Sequence, residues 1–528
     1  MLIIVLFLIA IYLIYKWSIS TYDYFEKQGI PYNKPLPLIG SNRNLFFNRK
    51  TFIEVLHNWF YEFKDEKASG LFEFRRPILL LKDPKLIKQL AVKDFDYFMN
   101  HRTIITEDVD PLFGKNLFAL KGNKWRDMRA TLSPAFTGSK MRNMMDFVST
   151  VGHQTAEAIK KDIKSGGVNT FEFKEFASKF TIDIIASTAF GIEINSFKNP
   201  TNKFFKVAKE ITNFASFKTG LKFAGYLAFP KLMKILKINL LDKKSCDFFE
   251  EAIYDTMKTR EKHGIVRNDM IQLMLQAKNG ILSHNNNVEE KVIDGFATAK
   301  ESQLGKSEVK RKWDDADLAA QCFVFFLAGF ETVAQTMSFV GYELACNPDV
   351  QQKLFEEISE MNDEINGKKI NYEQIQKMKY LDAVISETLR KWPGAPVTDR
   401  ICVKDYELKY DNKCIKFEAN KTIMLIPIWS IHRDPKYYQN PDKFDPERFN
   451  DENKKLIDPD TYLPFGVGPR NCIGSRFALM EIKTIFYYLL LNFSIEVTEK
   501  TQIPLEFEKT PFAIKPKKGI WVELRPRN

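Results

Sequence analysis

Apolar residues run unbroken from Leu2 to Tyr15, and the run continues through Trp17 and Ile19 toward Tyr22. That is about 20 residues, enough for a helix to cross a bilayer, so the pattern predicts a transmembrane anchor over residues 1–22. No positive residue precedes the run, as a cleavable signal peptide would require, and Ser18-Ile19-Ser20 is a weak imitation of a cleavage site. Lys16, Lys27 and Lys34 follow it, which by the positive-inside rule puts the rest of the chain on the cytosolic side. Asp23 and Glu26, with no arginine at this end, speak against a mitochondrial transit peptide. Residues 23–50 carry Gly29-Ile30-Pro31 and Pro35-Leu36-Pro37-Leu38-Ile39-Gly40, a stiff, helix-hostile connector read as a proline-rich hinge.

From Thr51 helical periodicity dominates, with a small strand-like portion at Gly70 to Lys82. Lys121 to Arg129 reads as a helix with Trp125 and Arg129 on one face. Phe204 to Asp242 mixes many phenylalanines and lysines, a composition that fits either a core helix pair or a segment half-buried in a membrane interface. Ser283 to Lys312 is polar and reads as an exposed connection. Asp314 and Asp317 can then cap a long helix ending near Asn347-Pro348. Its centre, Cys322 to Phe330, is apolar on all sides and predicts passage through the core, being too soon interrupted by Glu331 to span a membrane. Glu387 and Arg390 share a later helix face, and a helix-like run follows Gly474 through Asn492.

The chain has 528 residues, 45% of them apolar, which is ample for a large core; no linker divides residues 51–528, which are read as one domain. The formal net charge of +11 admits nucleic acid, an anionic membrane or an acidic protein partner. Basic residues are scattered among acidic ones without a zinc-finger, RNA-recognition or basic-helix signature, so nucleic acid is disfavoured; ordinary solubilising charge and an acidic partner stay open. The six cysteines and six histidines are isolated from one another, against a zinc site or a disulfide framework and in favour of a reducing, cytosol-facing environment.

The chemistry concentrates in Phe465-Gly466-Val467-Gly468-Pro469-Arg470-Asn471-Cys472-Ile473-Gly474. Turn-forming residues bring one thiol to the start of a helix, with Arg470 as a neighbouring cation, and both features favour a thiolate. The spacing Phe-x-x-Gly-x-Arg-x-Cys-x-Gly resembles the haem-ligand loop of the cytochrome P-450 monooxygenases, and would arise by chance in about one sequence in ten thousand. The resemblance implies a mainly α fold with smaller β-sheets (α+β), one large haem domain behind its anchor. It also implies haem b, with Cys472 as axial thiolate and Phe465 and Gly468 beside it. Trp125, Arg129 and Arg470, and in a further position Arg400, match residues that reach the haem propionates in similar proteins. Ala328-Gly329-Phe330-Glu331-Thr332 resembles the oxygen-activating motif, in which the small Ala328 step opens a groove and the acid and alcohol deliver protons. Read from the residues alone, Thr332 bonds back to its own helix and Glu331 forms a surface ion pair. Glu387, Arg390 and Arg448 of Pro446-Glu447-Arg448-Phe449 match a buried structural triad.

By this resemblance the chain is a monooxygenase of the endoplasmic reticulum membrane. It would act on an apolar small molecule with O2 and electrons from NADPH-cytochrome P-450 reductase, with cytochrome b5 as a second donor. A basic face made by Lys140, Arg142, Arg476 and Lys483 would suit an acidic reductase. The motifs are closest to insect family-nine and family-six detoxification enzymes, which makes xenobiotic clearance the favoured role and an endogenous lipid or hormone the alternative. A haem-thiolate isomerase or dehydratase, or a haem-binding sensor without turnover, would not need Glu331 and Thr332. Phe204 to Asp242 becomes a mobile lid, and the substrate pocket is expected near 104–118, 205–223, 326–331, 396–398 and 510–512.

Overall fold

The computed structural model describes residues 1–103, 105–212, 217–267, 269–279, 296, 311–510 and 514–527. Helix α1, Leu2–Ile19, carries the first apolar run with its side chains exposed, as expected of a segment whose partner is not protein. The connector after it is tied to the globule. Phe25 and Ile30 are buried, the Asn33 N–H donates to the Gly70 carbonyl (2.9 Å) and the Ser41 N–H to that of Phe72 (2.7 Å). These bonds clip the segment along strand β1, Ala68–Glu73. A side chain at Gly70 would meet the Phe25 ring at 2.4 Å, so the glycine is what lets the connector close on the strand.

The capping box of Thr51 and Glu54 starts α2, Phe52–Glu62. Strand β2, Arg76–Leu81, forms an antiparallel hairpin with β1, in which Leu71 stands opposite Ile78. The hairpin is the strand-like portion expected over Gly70 to Lys82. Helices then dominate: α3, Gly122–Leu132; α4, Gly138–Lys164; α5, Phe173–Phe190; α6, Phe217–Ala228; and α7, Pro230–Ile235. Helix α8, Asp315–Cys346, begins at the capping box of Asp314 and Asp317 and stops at Asn347, before Pro348. It is mostly buried and packs along α5, a core helix as its all-round apolar centre predicts. Helix α9, Lys379–Lys391, precedes β3, Thr398–Ile401, and β4, Ile423–Ile426. These join the first sheet in the order β1-β2-β4-β3, with β2 and β4 parallel. Helix α10, Ser475–Asn492, follows the cysteine loop.

The largest apolar core extends from Ile53 on α2 to Leu524 near the C-terminus, and a second surrounds the sheet. The lysine- and phenylalanine-rich stretch divides between two environments. Phe204 and Phe205 are buried, and Phe204 packs against Phe249 and Phe326, whereas Leu221, Phe229, Leu232 and Ile235 are exposed. Of the polar connection expected over Ser283 to Lys312, nearly all lies outside the described residues. Phe296 within it is half-buried against Phe449 and Tyr462.

Candidate active site

The cysteine loop is held by its own backbone and by arginines from elsewhere in the chain. The Cys472 N–H donates to the Phe465 carbonyl (2.9 Å), and the Asn471 N–H to that of Gly468 (3.0 Å). Gly468 has φ +69°, and a Cβ there would lie 2.1 Å from the Ala91 carbonyl oxygen, so only glycine fits. That is a packing role: expected at the cofactor, Gly468 does not line the cavity described next. Arg129 of α3 donates to the Asn471 carbonyl (2.8 Å) and to its side-chain oxygen (2.9 Å), and Arg400 of β3 donates to the Val467 carbonyl (2.8 Å).

The loop floors a cavity of about 500 Å³, within the range of small-molecule sites. Cys472 lies deep in the protein yet opens onto this cavity, and among the described residues it is the one thiol that lines it. Phe465 and Gly474 line it from the loop, and Ala328, Gly329, Thr332 and Val333 from α8. Ile185 and Ala189 of α5, Phe118, Phe136 and Val397 add apolar wall. The pocket expectation holds for Phe118, for the Ala328 step and for Val397 and Thr398. It fails for the described part of 205–223, which supplies no lining residue because Phe205 is committed to the core. Thr510 does not line it either, and Ile104 and 511–512 lie outside the described residues.

Burial raises the pKa of Cys472, opposed by the Gly474 N–H and by Arg129. The cation acting on the thiol is thus Arg129, not the expected Arg470. The Arg470 guanidinium turns away, donating to the carbonyls of Met99 (2.9 Å) and Leu120 (2.7 Å) and lying 4.0 Å over the Trp125 ring. Trp125, Arg129, Arg400 and Arg470 are all buried, and Arg400 and Arg129 both act on the Arg470 guanidinium. Burial, and after it Arg400 and Arg129, push the Arg470 pKa well down; burial lowers that of Arg400 to about 10, with Asp399 opposing. The Arg400 Nε is buried with no hydrogen-bond partner. Asp399 is the acid acting on this group, and its carboxylate already accepts from the Arg102 N–H (2.6 Å) and faces His101 (3.3 Å). Burial works against the Asp399 charge, but His101 and Arg102 hold its pKa down to about 2. Among the described residues Asp399 is thus the one acid acting on both Arg400 and Arg470, and Arg400 keeps an unpartnered Nε, a fit for a ligand bearing carboxylates such as the haem propionates.

Sequence reading gave His101 no role, yet it lines the cavity, stacked on Phe118 with ring centroids 4.7 Å apart. An isolated histidine carries no sequence signal for such a place. The same holds for Lys174 of α5, which forms an ion pair with Glu331 across 157 positions of chain. Glu331 does not line the cavity, whereas Thr332, the next residue, does, its Oγ1 donating to the Ala328 carbonyl. The acid thus makes the ion pair and the alcohol the bond to its own helix that are read from the residues alone, on the partly solvated and cavity sides of α8 respectively.

The structural triad is present. Glu387 and Arg390 are fully buried, joined at 2.7 and 2.9 Å, and Arg448 Nε stands 3.4 Å from Glu387. Arg390 also donates to the His432 carbonyl (2.8 Å), and His432 Nε2 accepts from the Leu463 N–H (2.8 Å), which carries the network to the edge of the cysteine loop. Of the basic face, Lys483 is a correction: it is fully buried and paired with Asp382 at 2.8 Å, because α10 turns it inward.

Residues 30–522 match the family model for cytochrome P450. The chain is 45% identical over 529 residues to cytochrome P450 9e2 of Blattella germanica, covering 98% of this chain and 96% of that one. It is 43% identical over 530 residues, 99% of each chain, to probable cytochrome P450 9f2 of Drosophila melanogaster. It is 35% identical over 513 residues to cytochrome P450 6k1 of Blattella germanica, covering 97% and 94%. A cavity floored by one thiol and flanked by buried arginine, in a chain matched over nearly its whole length, places this protein in the cytochrome P450 family of monooxygenases, whose members bind haem through a cysteine thiolate to the iron.

Proposed function

We propose that the protein is a membrane-anchored monooxygenase that clears apolar foreign compounds, fed with electrons from NADPH by a reductase at the endoplasmic reticulum. The observation that carries this reading is the cavity itself, with Cys472 in the floor, Thr332 on the α8 side and a largely apolar wall between them. When bound, haem supplies the redox chemistry by which one atom of O2 enters substrate and the other leaves as water.

The chain's own residues do the rest. Cys472 would provide the thiolate ligand, and Arg470, which lines the cavity over the Trp125 ring, would meet the propionates, with Arg129 and Arg400 adding positive charge from behind the cysteine loop they bond. Phe118, Ile185, Ala189 and Val397 exclude water and hold apolar substrate. Thr332 Oγ1 holds a proton at the cavity, and Glu331, tethered by Lys174 where solvent reaches, replenishes it. Helix α1 anchors the chain, and Lys140, Arg142 and Arg476 offer a basic face to reductase and to cytochrome b5. The likeness to family-nine and family-six relatives supports a detoxifying role.

The test is turnover by the full-length protein with NADPH, reductase and isotopically labelled O2, offered a mixed panel of plant toxins, insecticides and endogenous lipids. Labelled products from several unrelated toxins are expected. A single labelled lipid product would replace clearance with a dedicated endogenous step. Unlabelled product formed without NADPH would replace oxygenation with isomerisation.

A further inference from the structure

A second cleft, of about 880 Å³, opens where α1 meets the globule. Trp17 from the end of α1, Leu38 of the connector, Phe46, Phe229 at the α6–α7 corner, Arg75 of the β1–β2 turn and Arg76 at the start of β2 face it. The Arg75 guanidinium lies 4.2 Å over the Trp17 ring and donates to Ser20 Oγ (2.7 Å), while its Nε is buried with no hydrogen-bond partner. Arg76 is exposed. The acids of the cleft are taken: Asp23 by Lys27 (2.5 Å), Glu73 by Arg102 (2.6 Å) and Glu418 by Lys421. Among the described residues neither Arg75 nor Arg76 forms an ion pair, and the one carboxylate acting on Arg76, Glu73, is already bound by Arg102, so the cleft holds two guanidiniums with hydrogen-bonding capacity to spare beside exposed apolar side chains, Leu38 47%, Phe46 63% and Phe229 52% accessible.

We propose that this cleft binds an anionic phospholipid, its phosphate between Arg75 and Arg76 and its acyl chains along α1 and the apolar rim. The assignment rests on the membrane attachment proposed above. A helix that ends a bilayer crossing puts its last turn, here Lys16 and Trp17, at the headgroup layer, where the guanidiniums of the turn also stand. Guanidinium forks match phosphate oxygens. An apolar substrate would leave both cations without an anion, and inorganic phosphate would leave the exposed apolar rim unmatched.

Full-length, haem-loaded protein in neutral detergent, titrated with fluorescent phosphatidic acid, should bind one lipid per chain saturably. The affinity should be at least about tenfold tighter than for the same probe with a phosphocholine headgroup. The paired change Arg75→Gln and Arg76→Gln should abolish that preference with the haem-thiolate spectrum intact. Arg76→Gln alone, at the exposed first position of β2, should weaken it, and Lys500→Gln, away from the cleft, should not. Equal binding of both lipids, undiminished binding by the paired variant, or displacement by inorganic phosphate at the lipid's own concentration would overturn the assignment. Carbonate washing separates this from attachment: release of the protein from membranes would sink the anchor, whereas the detergent titration reads the cleft without it.

Discussion

His432 ties two parts of the site together with one uncharged ring. Its Nε2 accepts from the Leu463 N–H, so the proton sits on Nδ1, which donates to the Arg390 carbonyl at 3.1 Å. A protonated ring would turn that acceptor into a second donor against Leu463 and add a charge beside Arg390 and Arg433. Burial, followed by Arg390, accordingly lowers its pKa to about 3. An unfolded histidine titrates near about 6.5. Between these values the unfolded chain takes up a proton that the folded one refuses. This contribution to stability is whole above about pH 6.5 and is lost as pH falls toward 3, at up to about 1.4 kcal/mol per pH unit. Denaturation of wild type and His432→Gln from about pH 7 to 4 should show the variant less stable at neutral pH but less acid-sensitive by about one proton. Parallel curves would mean that the ring titrates alike in both states. Nothing in the sequence marks this histidine, because its role is created by carbonyls and an N–H that only the fold assembles.

At the level of elements, α8 is where local pattern and tertiary structure agree most closely. Asp314 and Asp317 start it and Asn347-Pro348 ends it, and the apolar run from Cys322 to Phe330 places it in the core; all of this is written locally. The cysteine loop and the Glu387–Arg390 helix were legible for the same reason, since their residues lie a few positions apart. The cavity wall was not. Ile185, Ala189 and Met144 reach it from helices whose sequence shows ordinary core periodicity, and Phe205, an attractive lining candidate by composition, is drawn instead into the apolar core. Lys174 was hidden too, because ion pairs between distant helices leave no spacing to read. The arrangement of α8 makes a specific expectation. Thr332→Ala removes the cavity-side hydroxyl, so NADPH should still be consumed while product per NADPH falls by about tenfold or more. Unchanged coupling would take the hydroxyl out of proton delivery.

For the whole molecule, the chain's ends and faces divide the labour. On the proposed reading the exposed apolar α1 turns one side of the molecule toward the membrane, and the basic face for a reductase narrows to Lys140, Arg142 and Arg476, because Lys483 is withdrawn into the core. Arg142 already pairs with Glu373, a surface contact that a partner's carboxylate can replace. Turnover driven by reductase should therefore weaken as salt rises from low to physiological strength, and salt-independent coupling would count against an electrostatic dock. Both halves of this picture depend on what sits above Cys472. The most direct measurement is the carbon monoxide difference spectrum of the reduced protein, wild type against Cys472→His. The wild type should give the spectrum of a thiolate-ligated haem, and the variant should lose it, either by taking an imidazole-ligated form or by losing haem. A thiolate spectrum that survives in Cys472→His, or none in the wild type, would place the ligand elsewhere and contradict the site described.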